Sequence, residues 1–74
     1  MEMKIGDRVV IYNLNGTVYS RELIGTKGKI ASIDEDNRLY IITDKTHKFN
    51  QATMLHGLTE GQVRLATKLE QTLN

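Results

Sequence analysis

A chain of 74 residues is long enough for one small domain with a modest core. It has no cysteine, which excludes disulfides and thiolate metal sites as sources of stability. The net charge of +1 excludes the strong overall basic field of proteins that bind nucleic acid through total charge alone. The first residues are charged and no stretch approaches the roughly 20 apolar residues of a membrane span. We therefore expect a soluble, cytoplasmic protein without a signal peptide.

Three strands are predicted in the first part of the chain. The first runs from Arg8 to Tyr12, after a turn at Ile5-Gly6-Asp7, and the second from Lys27 to Ile33. A long connection rich in turn-forming residues separates them. The polar tip Asp34-Glu35-Asp36-Asn37 then leads into a third strand from Leu39 to Thr43, which makes a hairpin.

The second strand is predicted to be bent. Its apolar residues Ile30 and Ile33 are three positions apart, and a flat strand places such residues on opposite faces. One side holds both only where a bulge or sharp coil interrupts the strand. Strands bent in this way build small closed barrels, so the pattern favours a barrel.

Two further short strands are predicted, at Lys48 to Asn50 and at Met54 to His56. The core is expected to consist of the apolar side chains that face inward from these strands, namely Val9, Ile11, Ile30, Ile33, Leu39, Ile41, Phe49 and Leu55.

The last part of the chain is predicted to be a helix of about 14 residues, which needs an apolar partner because helices this short are marginally stable alone. Thr59 and Gln62 match a capping box at its start, and Leu65, Leu69 and Leu73 share one helical face with Ala66. This divides the single domain into a barrel over 1–58 and a packed helix over 59–74. The helix docks either on the outer face of the third strand, at Tyr40 and Ile42, or on a second copy of the chain. We favour the monomer, with a helix-mediated dimer as the alternative.

The run Gly25-Thr26-Lys27-Gly28-Lys29-Ile30, followed by Ile33-Asp34 and Arg38-Leu39-Tyr40-Ile41, resembles a KOW-type segment of the SH3-like barrel superfamily. The opening Ile5-Gly6-Asp7-Arg8-Val9 is similar to the start of such domains. The resemblance implies a mostly β, small SH3-like five-stranded barrel, to which the C-terminal α-helix is added. It also implies association with nucleic acid or nucleoprotein in transcription or translation. Small SH3-like proteins of Gram-positive phages and prophages share the pattern, although such barrels host many unrelated roles.

No pattern of residues indicates catalysis, a cofactor or a metal site. The two histidines, His47 and His56, are nine residues apart and lack cysteine partners. Ser20 and Ser32 have no nucleophile-elbow context, and Gly25 and Gly28 precede a strand instead of the helix that a phosphate loop needs. We therefore expect a non-enzymatic binding module.

Four residues form the candidate binding surface. Lys27 and Lys29 alternate along one face of the second strand, while Arg21 and Tyr19 lie in the loop before it. Such a surface holds phosphates on its cations and a base on its aromatic ring. Alternatively, the lysines protect an edge strand against aggregation. The partner is accordingly nucleic acid, or else a host protein that the chain binds as an adaptor or inhibitor.

Overall fold

Five antiparallel strands form one sheet in the computed structural model, which describes residues 3–45 and 52–72. The order in the sheet is β4-β3-β2-β1-β5, so β2 is its central strand. Two 3-10 turns, Arg21–Leu23 and Glu60–Gln62, precede β2 and β5, and the helix α1 follows β5. The elements are β1 (Arg8–Ile11), β2 (Lys27–Ile33), β3 (Leu39–Thr43), β4 (Met54–Leu58), β5 (Val63–Leu65) and α1 (Lys68–Thr72). The predicted mostly β fold of five strands and a C-terminal helix is confirmed, although the strands are not all the predicted ones.

The first three strands lie where the sequence predicted them. β2 and β3 have the predicted bounds, and β1 ends one residue early, at Ile11. The strand predicted at Met54 is two residues longer and ends at Leu58. The strand predicted over Lys48 to Asn50 lies outside the described residues.

The bend predicted in β2 is present. The register between β2 and β3 shifts between Ile30 and Ser32, so that Ala31 forms a bulge. Ile30 is consequently buried and Ile33 packs half-buried against the same core. The bulge lets one side of the strand carry both side chains.

The bent sheet surrounds one apolar core to which every strand contributes. Six of the predicted core residues are at most 1% exposed; they are Val9, Ile11, Ile30, Leu39, Ile41 and Leu55. Phe49 lies outside the described residues. Five further members of the cluster were not predicted from the sequence; they are Met3, Leu14, Leu23, Leu58 and Val63.

The predicted helix of about 14 residues is wrong in its extent. Gln62 does accept the Thr59 backbone N–H at 2.9 Å, but this half of the capping box begins only a 3-10 turn. Val63–Leu65 then pairs with β1 as β5, with Val63 opposite Ile11. Without β5, one side of β1 would have unpaired backbone groups beside a buried core, which is costly. This pairing overrides the helical period of the tail.

The helix α1 lies near β1 and β2, and not on β3 as predicted. The Lys27 ammonium donates to the Glu70 backbone carbonyl at 2.9 Å. The predicted docking of Leu65 and Leu69 within the chain is wrong, since they are 37% and 68% exposed. Leu73 lies outside the described residues, and the helix-mediated dimer stays a prediction. In the described ranges, 3–45 and 52–72, no helix is long and apolar enough to cross a membrane.

Candidate functional site

The sheet has an outer face, formed by the side chains that point away from the core. Its basic part, here called the basic cluster, consists of Arg8 on β1, Lys27 and Lys29 on β2, and Arg64 on β5. Arg8 lies directly opposite Lys29, and Val10 lies opposite both Lys27 and Arg64. Alternation along the strands therefore brings four cations together on three adjacent strands.

Two carboxylates partly neutralise the basic cluster. Arg8 forms an ion pair with Asp44, which follows β3. Arg64 and Glu70 form a bidentate pair in which both N–H···O distances are 2.8 Å. Among the described residues, two of the four cations form ion pairs, and the exposed Lys29 leaves the cluster with an excess of positive charge.

The Arg64–Glu70 pair ties α1 to the sheet. The hydrogen bond from Arg64, followed by that from the Thr67 backbone N–H, lowers the pKa of Glu70 from 4.5 to about 2. Lys27 also contacts Glu70, through its backbone carbonyl. Val10 lies between Lys27 and Arg64 and is buried although it points away from the core cluster, which places α1 over this corner of the outer face.

The two lysines of the candidate surface therefore differ. Lys27 is half-buried and holds α1, so it is not the solvent-facing side chain that the sequence suggested. Lys29 is exposed and makes no side-chain hydrogen bond or ion pair with any other described residue. Lys29 is thus the member of the basic cluster best placed to meet an external anion.

Edge protection does not explain these lysines. β2 is paired with β1 on one side and with β3 on the other, so it has no open edge. The alternative interpretation of Lys27 and Lys29 as edge-strand protection is therefore wrong.

Tyr19 binds the backbone of β4 and lies apart from Lys27 and Lys29. Its hydroxyl donates to the His56 carbonyl at 3.1 Å and accepts the His56 backbone N–H at 3.0 Å. Within the described residues β4 is the end strand of the sheet, so Tyr19 covers the side of β4 that no described strand pairs with. Since β3 separates β4 from β2, Tyr19 lies away from Lys29.

Arg21 begins the first 3-10 turn and is exposed. No described contact links its side chain to Tyr19 or to the basic cluster. The structure thus keeps Lys27 and Lys29 together on the outer face and leaves Arg21 and Tyr19 apart from them.

An aromatic pair on the outer face was not predicted. Tyr40 on β3 lies opposite His56 on β4, and their rings stack with centroids 6.0 Å apart and planes 20° from parallel. The exposed side chains of Ile42 and Met54 continue this surface. The sequence contained the signal, because Tyr40 alternates with the inward Leu39 and Ile41, but the face that carries Tyr40 was expected to be covered by the helix.

Residues 3–45 and 52–72 contain no group of three or more histidine and acidic side chains arranged to hold a metal ion. Comparison with models of known families, with curated proteins and with solved structures finds no match for this chain.

Proposed function

We propose that this chain is a non-enzymatic binding module that contacts nucleic acid, free or in a nucleoprotein, through the outer face of its sheet. The observation that carries the proposal is the exposed Lys29, with Arg8 directly opposite it and an excess of positive charge around both. Phosphate contacts by lysine and arginine supply most of the affinity in such complexes.

The sequence resemblance supports the same proposal. The glycine-lysine segment from Gly25 to Ile30 leads into a bulged central strand, and a sheet of five antiparallel strands follows from the rest of the chain. We accordingly propose an SH3-like barrel with a KOW-type segment, acting in the cytoplasm in transcription or translation. A phage or prophage origin belongs to the same proposal.

A small set of phosphate contacts gives weak, salt-dependent binding, so binding has to be measured as a function of salt concentration. Anisotropy of a labelled single strand of about ten nucleotides is measured over a series of salt concentrations, starting low because screening is then weakest. Lys29→Glu should weaken binding and reduce the slope of log K against log salt by roughly 0.7, the value for one phosphate contact. Because Lys29 is exposed, the fold should be retained.

Arg21→Glu is the matched control. It makes the same change in net charge at another exposed position, so it should leave the slope unchanged. An equal loss of affinity in Lys29→Glu and Arg21→Glu would indicate a general effect of net charge and refute an interface at Lys29. Absence of binding by the wild-type protein at low salt would refute the proposal itself.

A protein partner is the second candidate. Ile42 and Met54 are 39% and 55% exposed and lie next to each other across β3 and β4. Exposed neighbouring apolar side chains are typical of protein contacts. Under this alternative the chain is an adaptor or inhibitor, and Ile42→Ser should weaken capture of the partner while Lys29→Glu has little effect.

A further inference from the structure

We propose that Tyr40 and His56 form a stacking site for a nucleobase, which makes the outer face selective for single strands. This inference rests on the proposed function and adds the class of nucleic acid that the face recognises. The basic cluster alone would contact the phosphates of single and double strands alike.

Part of the surface of the two rings is accessible, because His56 is exposed and Tyr40 is half-buried. Nearly parallel rings in contact have planes about 3.5–4 Å apart. A centroid distance of 6.0 Å therefore requires that Tyr40 and His56 are displaced sideways by roughly 4.5–5 Å. The rings overlap little, and together they present a wider aromatic surface than either alone.

The surroundings of the pair can accept a flat polar ligand. Tyr40 and His56 line an open depression of about 450 Å³ together with Ser32, Asp34, Arg38, Leu39 and Gly57. Arg38 donates one hydrogen bond to the Gly57 carbonyl at 3.2 Å, and a guanidinium has five N–H donors in all. A base that lies on the rings would thus find hydrogen-bond donors at the rim, as well as the Ser32 hydroxyl.

The stacking site is continuous with the basic cluster. Ile42 lies opposite Lys29, and Tyr40 lies opposite Ser32 on the same side of the sheet. Tyr40 and Lys29 are therefore diagonal neighbours, which in a sheet are roughly 7–8 Å apart. A phosphate on Lys29 leaves an adjacent base of the same strand near Tyr40, so the positive charge and the aromatic surface fit one occupant.

Only an unpaired strand can use both parts of this face. In a duplex each base is already stacked on its neighbours, and its faces are not available to a protein ring. In a single strand, a base that stacks on an aromatic side chain adds sequence-tolerant affinity. The predicted ligand is therefore single-stranded DNA or RNA, with no strong preference for sequence.

The test compares Tyr40→Leu with Tyr12→Leu, a matched control because Tyr12 is 61% exposed and follows β1. The probes are a single strand of about ten thymidines and a duplex of equal length. Tyr40→Leu should lower single-strand affinity by roughly fivefold or more and leave duplex affinity unchanged. Tyr12→Leu should change neither affinity.

A second measurement needs no variant. In proton NMR of the wild-type protein, the ring signals of Tyr40 and His56 should move upfield when the single strand is added, because a stacked base shields them. Unchanged ring signals, or Tyr40→Leu binding the single strand as tightly as the wild type, would overturn the stacking site. If Lys29→Glu still weakens binding in that case, the proposed function stands, whereas no binding of either probe by the wild type overturns both.

Discussion

Gly28 is the position at which one added methyl group should disturb the fold most clearly. It is buried in β2 between β1 and β3, opposite Val9 and Thr43. A Cβ atom at Gly28 would lie 2.8 Å from the Ile42 carbonyl oxygen, 3.0 Å from Ile41 Cγ2 and 3.1 Å from Thr43 Cα. Two of these atoms belong to the backbone of β3, so Gly28→Ala requires the strands to separate.

The expected cost follows from these contacts. Overpacking of a well-filled site typically costs about 1–3 kcal/mol. Replacing glycine by alanine where the backbone tolerates it instead stabilises by about 0.4–1 kcal/mol, through the unfolded chain. At Gly28 the cost of overpacking should exceed the gain from the unfolded chain, because the nearest atom, the Ile42 carbonyl oxygen, belongs to the backbone and cannot rotate away. A loss of about 1–3 kcal/mol lowers the Tm of a domain this size by roughly 4–24 °C.

Gly61→Ala provides the matched control. A Cβ atom there meets only Thr59 Oγ1, at 3.9 Å, and Gly61 lies in a 3-10 turn without a positive φ. The same substitution should therefore be neutral or slightly stabilising. Thermal and urea unfolding followed by far-ultraviolet circular dichroism measure both variants. A Tm for Gly28→Ala at or above that of the wild type would refute the close packing of β2 against β3.

Two other contacts yield predictions. Tyr19→Phe removes two hydrogen bonds to the His56 backbone, so it should destabilise the protein by about 1–2 kcal/mol and speed amide exchange at His56. The control Tyr12→Phe, at an exposed position, should change neither quantity. Equal amide exchange at His56 in both variants would contradict the edge contact. The Glu70 carboxyl should titrate near pH 2 in carbon NMR, because Arg64 lowers its pKa from 4.5 to about 2. The stabilisation that this pair gives to α1 is therefore complete above about pH 4.5 and is lost as the pH falls towards 2. A midpoint near 4.5 in the wild type, unchanged in Arg64→Ala, would show that the pair does not form.

The candidate surface was recovered from the sequence only in part. The alternation of Lys27 and Lys29 in β2 correctly indicated a shared face, since side-chain direction within a strand is a local property. Whether a lysine is exposed depends on what covers the strand, and α1 engages Lys27 but leaves Lys29 exposed. The position of Tyr19 depends on where its long loop crosses the sheet. No local pattern specifies that crossing.

Local sequence determined the strands β1, β2 and β3, because their apolar residues and flanking turns define a strand without reference to the rest of the chain. The spacing of Ile30 and Ile33 also determined the bulge. The tail was different, since Val63 and the leucines after it fit a helical period, and three residues are too few to show a strand period. Only the tertiary structure decided between the two, because the open side of β1 offered Val63–Leu65 backbone hydrogen bonds and a buried site for Val63.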